Sequence, residues 1–108
     1  MTNKPDPPYY AVIFPNQRTD DDAQGYAAMA QRMVELAGQQ TGCLGLDSTR
    51  DDKGFGITVS YWESLEAIAA WRDHPEHQDA QAQGRSKWYA AFDLHIAKVE
   101  RSYSFKKS

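Results

Sequence analysis

The sequence predicts an α+β fold of element order β-α-β-β-α-β, a four-stranded antiparallel sheet with two helices on one face. Three observations predict it. Phe55 to Trp62, mid-chain, alternates with the two-residue period of a pleated strand. Stretches with three- and four-residue apolar spacing lie on either side of it. Segments rich in aromatic and β-branched residues open and close the pattern, at 9–14 and 92–105.

Taken in order, Tyr9-Tyr10-Ala11-Val12-Ile13-Phe14 reads as the first strand, ended by Pro15, which has no N–H to give a ladder. Asp20, Asp21 and Asp22 suit a helix start, and Tyr26, Met29, Met33, Leu36 and Ala37 then fall on one helical face, ended near Gly38 or Gly42. Cys43 to Ser48 is a short strand, and Arg50-Asp51-Asp52-Lys53-Gly54 has the chemistry of a hairpin turn. The third strand sets Phe55, Ile57, Val59 and Tyr61 against Gly56, Thr58, Ser60 and Trp62. Ser64 is the expected N-cap of the next helix, anchored by Leu65, Ile68 and Trp71. Pro75 breaks that helix and opens a second piece, Glu76 to about Tyr89, on which His77, Gln81, Gly84 and Trp88 share a face. Phe92 to Phe105 is expected as one long last strand, with His95 pointing opposite to Leu94 and Ile96.

Composition narrows the function. At 108 residues there is room for one domain, placed at 9–105 between a flexible arm (1–8) and a solvated tail (106–108). A net charge of -3 disfavours nucleic acid and anionic membranes as partners. No apolar run is long enough for a membrane helix, and the first eight residues lack a signal-peptide core. Cys43, the single cysteine, fits a reduced cytoplasmic setting and reads as a strand residue. Two helices cover one sheet face, yet Tyr61 opposes Trp62 and Tyr9 opposes Tyr10. A second copy packed sheet to sheet would cover the other face, so a homodimer is expected.

Val59-Ser60-Tyr61-Trp62-Glu63-Ser64, followed by Ala67-Ile68-Ala69-Ala70-Trp71-Arg72-Asp73-His74-Pro75-Glu76-His77, resembles the antibiotic biosynthesis monooxygenase family. The likeness continues through Gln81, Gly84-Arg85, Trp88-Tyr89 and Val99 to Phe105, and Tyr9 to Phe14 with Gln17-Arg18-Thr19 is similar to the family's opening strand. The resemblance implies a ferredoxin-like fold paired into a dimeric α/β barrel. It also implies a choice among cofactor-free quinone-forming oxygenases, quinol oxygenases, haem-degrading enzymes and members without established activity. The haem-degrading branch carries an Asn on the first strand and a His ten positions after a helix Trp. Here Trp71 matches that Trp, but Gln81 holds the later position and Val12 and Ile13 the strand, which argues against haem.

Cofactor-free oxygenation needs an apolar pocket, a base and a partner for a developing oxyanion. His77 is the candidate base, Arg85 the candidate oxyanion partner, and Trp71, Gln81, Trp88 and Tyr89 the candidate substrate contacts. Plainer readings stand beside these: His77 as a capping or solvated residue beside Pro75, and Trp71 and Trp88 as core anchors. His74, Glu76 and His77 lack the spacing of the H-E-x-x-H zinc motif, so no metal is expected, and no glycine loop suggests a nucleotide cofactor. Lys53 to Tyr61 partly resembles an RNA-recognition strand, but Ile57 and Ser60 replace the aromatic groups that would stack bases. The expectation is a cytoplasmic homodimer that oxygenates a small aromatic or quinol-type molecule without cofactor. The alternative is a non-catalytic ligand-binding or structural dimer of the same fold.

Overall fold

The computed structural model describes residues 4–107, so the outermost parts of the predicted arm and tail, 1–3 and 108, lie outside the described residues. The elements are β1 (Tyr9–Arg18), α1 (Ala23–Gly38), β2 (Cys43–Arg50), β3 (Phe55–Trp62), α2 (Leu65–Arg72), α3 (Pro75–Gln83), a π-helical turn (Gly84–Trp88), β4 (Tyr89–Phe92) and β5 (His95–Val99). All strand pairs are antiparallel, and the order is β2-β3-β1, with β4 and β5 both along the far edge of β1. The fold is therefore the ferredoxin-like α+β arrangement, with the last strand divided in two.

β2 runs to Arg50, which was expected in the hairpin turn, and proline chemistry accounts for the departures along the last strand. β1 does not end at Pro15 but continues to Arg18, with Pro15 opposite Ile57 of β3. The Pro15 carbonyl accepts from the Asp93 amide at 3.0 Å, so this residue's polar groups face the β4/β5 side, and there the missing N–H leaves a gap. The gap falls between the pairs Ile13–His95 and Asn16–Phe92, where Asp93 and Leu94 interrupt the edge. The last strand was expected to reach Phe105, but β5 stops at Val99, opposite Tyr9. Pro7 and Pro8 precede Tyr9 and have no donor for a longer ladder.

The helix starts follow the sequence closely. Asp22 caps α1, accepting from the Gly25 amide at 3.1 Å, and Ser64 caps α2, accepting from the Ala67 amide at 3.1 Å. His74 caps α3, its Nδ1 accepting from the Glu76 amide at 3.2 Å, with Pro75 in the first helical position. α3 ends at Gln83, short of the expected Tyr89, because the chain widens into the π turn and enters β4 at Tyr89 itself. Between α1 and β2, Gly42 takes a φ of 86°, and a Cβ there would sit 2.7 Å from Ala67 Cβ. This close approach seats α2 against the loop that leads into β2.

Register fixes the two faces of the sheet. Tyr10 pairs with Trp62, Val12 with Ser60, Phe14 with Thr58 and Asn16 with Gly56, so these residues share one face. That is the helix face, since Trp62 stacks on Trp71 of α2 and Phe14 meets Tyr89. The opposite face carries Phe55, Ile57, Val59 and Tyr61 with Tyr9, Ala11, Ile13 and Pro15. It is the more apolar of the two, and Phe55 (45 % exposed) and Ile57 (37 %) face outward on it. Among the described residues the buried apolar side chains are few: Tyr9, Ala11, Leu36, Ala37, Trp62 and Trp88. His95 and Ile96 alternate as expected, but both are exposed, as is Leu94.

Candidate functional site

On the helix face, three rings form a ladder from the sheet outward. Trp62, at the end of β3, is fully buried, and its Nε1 donates to Ser60 Oγ at 2.9 Å. Trp71, the next-to-last residue of α2, stacks on it with centroids 6.5 Å apart and planes 24° from parallel. His77 lies on Trp71 at 4.2 Å and 11°. The break at Pro75 produces this contact. It starts α3 close behind α2, so that the His77 Nδ1 reaches the backbone carbonyl of Trp71 at 2.9 Å.

That bond fixes the chemistry of the imidazole. A carbonyl oxygen only accepts, so Nδ1 carries the proton and Nε2 holds the lone pair. Burial against the indole holds the His77 pKa below the ordinary histidine value; the bond to the Trp71 carbonyl opposes this, and the charge of nearby His74 adds to the depression. At neutral pH His77 is therefore a neutral imidazole with one basic nitrogen. The capping role beside Pro75 belongs to His74, whose ring centroid is 5.6 Å from that of Trp71.

The other sequence candidates are spread along the fold. Gln81 is half-buried on α3, one turn beyond His77, and Arg85 is exposed on the π turn. Trp88 and Tyr89 belong to a second cluster. Trp88 is 3 % exposed, with its Nε1 donating to Asp22 Oδ2 at 3.3 Å and its ring 5.7 Å from Tyr26. Tyr89 packs edge-on against Phe14 at 5.4 Å and Tyr26 at 5.8 Å, and donates its hydroxyl to Tyr26 at 3.3 Å. Burial, with that hydrogen bond, raises the Tyr89 pKa well above the usual phenol range. Tyr89 packs on Phe14, which pairs with Thr58, four residues before Trp62 on β3, so the two clusters are separated by about 13 Å of strand.

The sequence reading missed Trp62 as a floor for Trp71, although its place in the alternation signalled the correct face. It also missed Asn16, 2 % exposed, whose Nδ2 donates to the Phe14 carbonyl at 3.1 Å and whose Oδ1 accepts from Arg50 at 2.7 Å. No spacing in the sequence links positions 16 and 50; only the register through β3 does.

His74, Glu76 and His77 are divided among separate tasks: a helix cap, a paired bond from Arg32 to Glu76 at 2.9 and 3.0 Å, and the stack on Trp71. Among the described residues, no group of three His, Cys, Asp or Glu side chains is placed to hold a metal ion. No helix among them is long and apolar enough to cross a membrane.

The chain is similar to known proteins over its whole length. It is 48% identical over 108 residues to the uncharacterized protein YqjZ of Bacillus subtilis, covering 100% of this chain and 94% of that one. Rv0793 of Mycobacterium tuberculosis superposes with a TM-score of 0.77 at 18% identity, covering 89% of this chain and 99% of that one. A Chloroflexus aurantiacus protein whose description names an antibiotic biosynthesis monooxygenase superposes at 0.69 with 24% identity, covering 89% and 97%. These structural likenesses show the fold. The profile of the antibiotic biosynthesis monooxygenases spans residues 9–83, from the first strand through the Trp62–Trp71–His77 ladder and the whole of α3, and the chain belongs to that family.

Proposed function

We propose that the protein is a cofactor-independent monooxygenase of a small aromatic or quinol-type substrate, with His77 as its base. The neutral His77 imidazole, stacked on Trp71 with Nδ1 anchored to a backbone carbonyl, carries this reading. A base of this kind works when its free nitrogen is unprotonated at the operating pH and its ring is held in one orientation. Trp71, with Trp62 stacked on one face and His77 on the other, offers a substrate its ring edge, and Gln81 lies one helical turn along α3. In this reading Arg85, exposed after α3, holds an anionic oxygen, and Trp88 and Tyr89 wall the far end of the helix face.

The chemistry balances without a further electron donor. For an anthrone-type methylene, His77 takes a proton, the carbanion gives its electrons to O2, and one oxygen stays on carbon as the carbonyl. The second oxygen leaves as water with the methylene's two hydrogens.

The working unit in this proposal is a cytoplasmic homodimer joined through the face of β3 that carries Phe55, Ile57 and Val59. The small buried core supports it, as does a recess of about 140 Å³ lined by Pro15, Phe55, Ala91 and Phe92 with Gln17 and Asp93. Tyr103 and Phe105, 86 % and 90 % exposed, are aromatic groups that a second copy could cover.

The test is oxygen uptake by the purified, metal-free protein with anthrones and quinols. Uptake that falls at least a hundredfold in His77→Gln, with folding intact, supports the base assignment. Uptake unchanged by His77→Gln refutes it, and silence across the panel with tight substrate binding favours a non-catalytic ligand-binding dimer.

A further inference from the structure

Two arginines converge on one tyrosine at the end of the helix face remote from His77. The Arg18 guanidinium carbon sits 3.9 Å from the centre of the Tyr26 ring and that of Arg50 sits 5.6 Å from it. Arg50 Nη2 also donates to the Tyr26 hydroxyl at 2.8 Å and to buried Asn16 Oδ1 at 2.7 Å, while Nη1 donates to the Gly54 carbonyl at 2.7 Å. Arg18 donates to the carbonyls of Trp88 at 2.6 Å and Asp21 at 3.3 Å.

The sheet is built to hold Arg50 there. Arg50 pairs across the ladder with Gly56, and a Cβ on Gly56 would lie 2.8 Å from the Arg50 guanidinium carbon. Glycine within a strand weakens it by lost packing and added chain entropy, so its place beneath Arg50 serves the close approach.

The electrostatics are unbalanced. Among the described residues neither guanidinium is in a salt bridge, in a chain whose net charge is -3. The nearby carboxylates have other partners: Asp22 pairs with Lys87 at 3.0 Å, and Asp51 Oδ1 accepts from the amides of Lys53 and Phe55. Each guanidinium has five N–H donors, and both arginines keep some uncommitted. The Tyr26 oxygen accepts from Arg50 and from Tyr89, so its own proton is free to be donated. Arg50 is exposed, which leaves the cluster open to solvent.

We propose that Arg18, Arg50 and the Tyr26 hydroxyl form a binding site for a small organic carboxylate on an aromatic body. The two cations and the phenol proton meet the carboxylate oxygens, and the edges of Tyr26, Tyr89 and Phe14 lie beside the ring. The site stands apart from His77, although it shares Tyr89 with the wall of the substrate face proposed above.

Benzoate is the probe, titrated into the full-length protein at constant chloride and followed by amide and arginine side-chain NMR, with benzyl alcohol as the uncharged comparison. Saturable shifts at Arg18, Tyr26 and Arg50 are expected, with benzyl alcohol at least about tenfold weaker. Arg50→Gln and Arg18→Gln should each weaken benzoate by about tenfold or more, the loss of one charge-assisted contact. Should Arg50→Gln fail to fold because Asn16 loses its partner, Arg18→Gln and Tyr26→Phe carry the test alone. Benzoate that does not saturate, binds the variants equally, shifts Trp71 and His77 instead, or is matched by benzyl alcohol overturns the proposal.

Discussion

His77 and Trp71 are joined twice, by rings stacked 4.2 Å apart and by a 2.9 Å hydrogen bond from the imidazole Nδ1 to the tryptophan's own carbonyl. The stack removes water from the imidazole and the bond fixes its tautomer, so one contact sets both its charge and its orientation.

Acid should weaken the fold through this residue. An unfolded histidine titrates near about 6.5, and burial puts the folded value lower. Between the two, the unfolded chain binds more protons, so stability rises with pH across that window and is lost as pH falls through it. Urea midpoints of the wild type and His77→Gln, measured from pH 7.5 to 5, should converge on the acid side. Parallel curves would show that His77 is not held neutral by its burial.

Removing the floor of the ladder should be costly. Trp62 is 0 % exposed, so Trp62→Ala is expected to destabilise the protein by about 3–5 kcal/mol through lost burial and an unfilled cavity. Denaturant unfolding measures this. The same variant should raise the His77 pKa, read from its imidazole NMR signals, because the Trp71 ring that shields it loses its own support.

The α2 cap offers a smaller and more local test. Ser64→Ala removes the acceptor for the Ala67 amide and should cost about 1 kcal/mol. Ser64→Asp should restore most of the loss in the same unfolding assay.

The exposed Phe55 and Ile57 end of the second sheet face predicts assembly. Sedimentation should give the mass of two chains, and Ile57→Glu, which sets a carboxylate beside Phe55 on the exposed end of that face, should shift the protein to one. A monomeric wild type would remove the dimer from the proposed mechanism and leave the exposed Phe55 and Ile57 unexplained.

The sequence by itself determined the order of elements, because its signals act over a few residues. Alternation defined β3 and its two faces, and Ser64 and Pro75 marked helix starts through their own backbone chemistry. It singled out Trp71 and His77, but as separate candidates. Tertiary structure alone decided that their rings stack, since the angle between α2 and α3 depends on how both helices rest on the sheet. Strand register likewise decided that Pro15 divides the last strand and that Gly56 lies beneath Arg50. Pairing residues far apart in the chain is a property of the closed sheet, where one ladder fixes every neighbour at once, and no local periodicity encodes it.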